Sequence, residues 1–189
     1  MPAFRLSTAL ACVLRAMVMT CALMPSAFAW AGDYDDVARL IGTGQYAQAQ
    51  SAATQYLAAK PRDPQMRFLQ GVIQSDTGKT DEAIGTFTAL TQDYPELPEP
   101  YNNLAVLYAA RNQLDQAQAA LDMAIRTNPR YAAAHENLGD VYARLASAAY
   151  SQALKLEGGS STVPPKLALL RSLVAASPKA ATQPAAAKP

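Results

Sequence analysis

Few side chains in this sequence are of a kind that does covalent or metal chemistry, and their spacing argues against it. There is one histidine, His135, and two cysteines, Cys12 and Cys21. A lone imidazole with no Glu-x-x-His spacing and no downstream cysteine lacks the donors of a zinc or iron site. Asp35-Asp36 and Asp81-Glu82 are adjacent carboxylates, but each pair falls in the first turn of a helical pattern, where the macrodipole favours acids. No glycine-rich loop follows a strand-like run, so no phosphate cradle is expected. Regularly spaced amides remain. Asn103 and Asn137 stand 34 residues apart, and an amide side chain donates to and accepts from an extended peptide backbone at once. These residues imply non-covalent recognition, with no enzyme activity, cofactor or metal.

The elements that carry them are helices. From Pro98 to Pro129, Tyr101, Leu104, Ala105 and Tyr108 form one helical face. Arg111, Asn112 and Gln113 make a polar turn. Leu114, Ala117, Leu121, Ala124 and Ile125 form the stripe of a second helix, which Pro129 ends because proline has no N–H to continue the ladder. Small residues at Ala105, Ala117 and Ala124 let the two backbones approach.

This unit resembles the tetratricopeptide repeat, a 34-residue helix–turn–helix with the pattern W-x2-L-G-x2-Y, A-x3-F and P. Tyr101, Leu104, Ala105, Tyr108, Ala117, Leu121 and Pro129 occupy those positions. One repeat earlier stand Gly71, Ala83, Phe87 and Pro95, and two repeats earlier Ala49, Ala53 and Pro61. One repeat later stand His135, Asn137, Leu138, Gly139 and Tyr142. The resemblance implies an all-α solenoid whose units bury their apolar faces only by stacking.

Its expected organisation follows. Repeat one covers 30–63, with Asp33 as N-cap and Gly42-Thr43-Gly44 as turn. Repeat two covers 64–97, with Thr77-Gly78-Lys79 as turn, Thr80 or Asp81 as cap, and Gln74 in place of the pattern's tyrosine. Repeat three is 98–131. The fourth unit, 132–157, is about five residues short, and nothing between Tyr142 and Tyr150 has turn chemistry. A single helix of about 35–40 Å is predicted there, capping the array. A loop and a capping helix occupy 158–176, the helix presenting Leu167, Leu170, Leu173 and Val174 on one face. The Ala/Pro-rich tail, 177–189, is expected to be disordered.

Residues 1–29 are expected to be a signal peptide. Arg5 and Arg15 supply a positive start, Ala16 to Met24 a short apolar run, and Ala27-Phe28-Ala29 a small-x-small site with cleavage after Ala29. Both cysteines leave with it. The mature chain is then near neutral, with 14 basic and 15 acidic residues. Together with a net charge of +1 for the whole chain, this gives no electrostatic basis for nucleic-acid binding. A periplasmic or secreted location follows. An uncleaved segment, or lipid on Cys21, would instead make a membrane-anchored structural subunit of an envelope complex.

The resemblance also implies where a protein or peptide partner is held: the concave face of the first helices. The positions assigned to that groove are Phe68 as apolar anchor, Asn102, Asn103 and Val106 from repeat three, and Glu136, Asn137, Asp140 and Arg144 from the fourth unit. The positions where a variant of the family clamps a carboxylate hold no lysine. His135, at an aromatic position, is expected to be packed or half-buried. The resulting expectation is an exported adaptor or scaffold without catalysis.

Overall fold

The computed structural model describes residues 30–156 and 160–176. The leader assigned to 1–29, the end of the fourth unit at Glu157, and the tail at 177–189 lie outside the described residues. Within them the chain forms eight helices and no strand: α1 (Trp30–Gly42), α2 (Tyr46–Ala59), α3 (Pro64–Asp76), α4 (Thr80–Asp93), α5 (Pro98–Ala110), α6 (Leu114–Thr127), α7 (Ala132–Lys155) and α8 (Val163–Ala176).

Each hairpin is closed by a residue in the left-handed region. Gly44 (φ 72), Gly78 (φ 78) and Asn112 (φ 59) follow the first helix of successive repeats at 34-residue spacing. The bonding around each is the same. At the third, Gln113 N donates to Tyr108 O (2.9 Å) and Asn112 N to Ala109 O (3.0 Å), the pairing that satisfies the orphan carbonyls at a helix C-terminus. One repeat further on, the position is Ala146. A residue with a Cβ and no side-chain amide adopts the left-handed conformation at a cost of roughly 1–2 kcal/mol, so the helix runs on. α7 is one uninterrupted helix of 24 residues, about 36 Å long, and the expected continuous fourth helix is observed.

The core is a row of side chains at repeat-equivalent places, including Met66, Leu69, Ile73, Phe87, Leu90 and Leu121, each at most 1% exposed. Ala49, Ala53, Ala83, Ala117 and Ala124 are wholly buried in the second helices of their repeats. Gly71 shows why one such place excludes even a methyl group. A Cβ there would lie 2.6 Å from Cε1 of the buried Phe87 ring. Gly139 holds the equivalent position in α7, and no atom lies within 4 Å of where its Cβ would be. The second helix that would have supplied the ring is missing.

Local signals are adjusted or resolved in five places. α1 begins at Trp30, so Asp33 sits in its first turn and is not the N-cap. α4 is preceded by Lys79 without a side-chain cap, and Thr80 is its first helical residue. Asp63 is a working cap, its Oδ1 accepting from Met66 N at 2.8 Å. α8 starts at Val163, with Pro164 and Pro165 in the first turn, where missing N–H groups cost nothing. Its buried residues are therefore Val163 and Leu167, while Leu173 is 53% exposed. Gln74, out of pattern, is buried and accepts at Oε1 from the Thr86 hydroxyl at 2.7 Å.

The two glycines give opposed expectations. Gly71→Ala lowers stability by about 1–3 kcal/mol, because the Phe87 ring is enclosed. Gly139→Ala raises it by about 0.5–1 kcal/mol through helix propensity alone. Urea denaturation of the two variants checks this, and two changes of the same sign would contradict it.

Candidate functional site

The face assigned to partner binding belongs to α3, α5 and α7, whose equivalent residues recur every 34 positions: Phe68, Asn102, Glu136; Val72, Val106, Asp140. Burial changes along it. Phe68 and Val72 are buried, Asn102 is buried while Val106 is half-buried, and Glu136 is exposed while Asp140 is half-buried. The face is closed at α3 and opens toward α7.

Three expected contacts are therefore corrected. Phe68 is not a groove anchor. It is 3% exposed and its ring lies against Phe87, with centroids 5.5 Å apart and planes tilted by 53°. Asn102 and Asn103 have no exposed surface. Asn103 turns back on its own helix, with Nδ2 donating to Glu99 O at 3.0 Å. Asn102 Oδ1 accepts from Asn137 Nδ2 at 2.8 Å, joining α5 to α7. The amide pair linking the helices is thus Asn102 with Asn137, and not the two asparagines in register. Asn102 Nδ2 and Asn103 Oδ1 are buried without a partner.

Arg144 makes the second staple. Its Nη1 donates to Ala109 O at 2.8 Å and its Nη2 to Asn112 Oδ1 at 3.3 Å. A cation thereby sits at the C-terminal end of α5, where the dipole is negative and carbonyls lack helical partners. Asn112 serves twice, closing the turn and orienting the guanidinium. The staples fix α7 against α5 and leave Glu136 exposed and Val106, Asn137, Asp140 and Arg144 half-buried. His135 is exposed, and its Nε2 lies 3.0 Å from Pro129 O; burial was expected because aromatics fill that position, but here nothing packs over it.

Sequence reasoning missed three features. Tyr34, Tyr56 and Asp63 join α1, α2 and the start of α3, with the Tyr34 hydroxyl 2.6 Å from both Tyr56 Oη and Asp63 Oδ2. Burial, reinforced by Asp63 and Tyr56, raises the Tyr34 phenol well above its usual range. Tyr131, half-buried before α7, is pushed up to about 12, by burial first and by the Glu99 carboxylate second. A cleft of about 440 Å³ lies between Asn112, Arg144, Ser147 and Ser151 on one side and Arg171 and Val174 of α8 on the other. No spacing marks residues whose role depends on neighbours from another element. Among the described residues no group of three or more His, Cys, Asp or Glu gathers as metal ligands, and no helix is long and apolar enough to cross a membrane.

Stacked helix hairpins with an open first-helix face define a helical repeat scaffold. Tetratricopeptide repeat models match residues 39–98 and 75–145, jointly more than half the chain, and the chain belongs to that family. It is 31% identical over 113 residues to tetratricopeptide repeat domain-containing protein PYG7, chloroplastic, of Arabidopsis thaliana, a match that covers 57% of this chain and 33% of that protein. The chain thus spans about a third of that relative's length. Among solved structures it resembles a thermophilic tetratricopeptide repeat protein of Thermus thermophilus, with TM-score 0.58 and 27% identity over 75% of this chain and 81% of that one. It also shares the fold of a chain in the structure of Naa15/Naa10 bound to HypK-THB, with TM-score 0.55 and 22% identity over 76% of this chain and 22% of that one. Domains of this family generally bind protein partners and are typically non-catalytic.

Raised phenol pKa values set an alkaline limit. The unfolded chain ionises Tyr131 near 10.0 and the folded chain only near 12. The unfolded state therefore loses protons first, and the stability this group contributes is complete below pH 10 and is lost as pH rises toward 12. Melting temperature against pH should fall in that window, and Tyr131→Phe should flatten part of the fall. An unchanged slope in the variant would contradict the assignment.

Proposed function

We propose that this protein is an exported, periplasmic adaptor that holds a protein or peptide partner on the open end of its first-helix face and catalyses nothing. The observation that carries the reading is the double staple. Asn102–Asn137 and Arg144–Ala109 lock α5 to α7, so the partner surface is formed before binding and little ordering entropy is spent. The contacts are Val106, Glu136, Asn137, Asp140 and the remaining donors of Arg144. Glu136 and Asp140 lie one helical turn apart beside the apolar Val106, a combination that favours a neutral or basic segment with an apolar side chain. Export rests on the arginine-flanked apolar run and small-x-small site in residues 1–29. Protein capture is the family's usual use of this face, and HypK-THB is bound in the Naa15/Naa10 structure.

The test is site-specific photocrosslinking in the native host, with the probe at Val106 or Asp140 and, as control, at Asp122 on α6. The same partner band from the first two positions and none from the control is expected. Glu136→Lys with Asp140→Lys should then weaken that partner at least about tenfold. Crosslinks confined to the control position would place binding on the other face. The soluble envelope fraction is expected to hold a species beginning at Trp30 or, from the second small-x-small site Ala29-Trp30-Ala31, at Gly32. A membrane species retaining Met1, or lipidated at Cys21, would refute the soluble adaptor and favour an anchored subunit.

A further inference from the structure

Two helix faces converge on the cleft of about 440 Å³ between α7 and α8. Arg144, Ser147, Ala148 and Ser151 lie at i, i+3, i+4 and i+7, which is one face of α7. Arg171, Val174 and Ala175 lie at i, i+3 and i+4 on α8. Asn112 and Leu114, from the α5–α6 turn and the start of α6, complete the lining. α8 is anchored at its start, where Val163 and Leu167 are buried, while Arg171 and the residues after it are exposed. Small side chains at Ser147, Ala148, Ser151 and Ala175 leave space where larger ones would bring the helices into contact.

The polar half of that lining offers donors and holds no carboxylate. Among the described residues neither arginine is in an ion pair. Arg144 directs two of its five N–H donors at Ala109 O and Asn112 Oδ1, so three remain on a guanidinium already fixed in place. That bond occupies the Asn112 oxygen and leaves its Nδ2. The Ser147 and Ser151 hydroxyls and the Arg171 guanidinium make no side-chain hydrogen bond among the described residues. We propose that this cleft binds a small carboxylic acid with an apolar tail, its carboxylate between Arg144 and Arg171. A carboxylate only accepts, through about four lone-pair sites, and guanidinium–carboxylate bonds are among the strong, charge-assisted ones. Leu114, Ala148, Val174 and Ala175 form an apolar half that a bare inorganic anion cannot use. A tail can. The volume falls within the roughly 300–1,000 Å³ of small-molecule sites. Of the contacts assigned to a protein partner the cleft shares only Arg144, so it is a site of its own.

The test titrates hexanoate into the full chain and follows binding by calorimetry. Saturable binding at one site is expected. Hexanamide keeps the shape and loses the charge, and acetate keeps the charge and loses the tail. Each should bind at least about tenfold more weakly than hexanoate. Arg171→Gln, at an exposed position, should lower hexanoate affinity about tenfold with an unchanged thermal melt. Val174→Asp sets a carboxylate in the cleft and should weaken binding at least as much. It decides the matter if Arg171→Gln melts early. No saturable hexanoate binding, either control ligand matching hexanoate, or undiminished affinity in a normally melting variant would overturn the assignment. Photocrosslinking from Val106 should be the same in Arg171→Gln, so failure of the cleft and failure of the partner face are read separately.

Discussion

A helix can reverse direction only where its chain tolerates a left-handed residue, and that constraint sets the form of this protein. Gly44, Gly78 and Asn112 meet it at equal intervals. Each reversal brings two apolar stripes together, and each pair is completed by its neighbour, because a single hairpin cannot bury its own face. Where the next left-handed position should fall, Ala146 stands within an unbroken α7. The array ends there for lack of a turn, while the pattern of the first helix, with His135, Leu138, Gly139 and Tyr142, continues past the third repeat.

The same helix is a third-repeat neighbour on one side and an unfinished repeat on the other. Its contacts with α5 are polar and directional, made by Asn137 and Arg144. Its contacts with the core are apolar, through Ala134 and Val141. Polar staples fix rotation about the helix axis in a way that apolar packing alone does not, since a hydrogen bond fails within a few tenths of an ångström and a few tens of degrees. The accessible residues of the first-helix face therefore inherit their positions from buried or half-buried ones.

What could be read from the sequence was the part dictated by size and period. Gly71 and Phe87 reveal the repeat because a ring and a missing side chain leave only one arrangement, and the shortened fourth unit declares its straight helix by lacking turn residues. What could not be read was which partner each polar or aromatic group would choose. Phe68 serves as an anchor or as core depending only on whether Phe87 lies beneath it. Asn102, Asn103 and Asn137 are chemically identical, and a small helix rotation decides that the first pairs with the third while the second folds back on Glu99. The face of α8 shifted because its two prolines stand inside the first turn, moving its buried positions toward the N-terminus.

The straightness of α7 has a mechanical consequence. A helix of about 36 Å with no proline in it bends little, so it behaves as a stiff rod clamped near its start by α5 and gripped near its end by α8. A load applied at the far end arrives at Asn137 and Arg144 as torque on two hydrogen-bonded staples, with no compliant joint between. Such a rod converts a displacement at one end into a tilt of the first-helix face at the other.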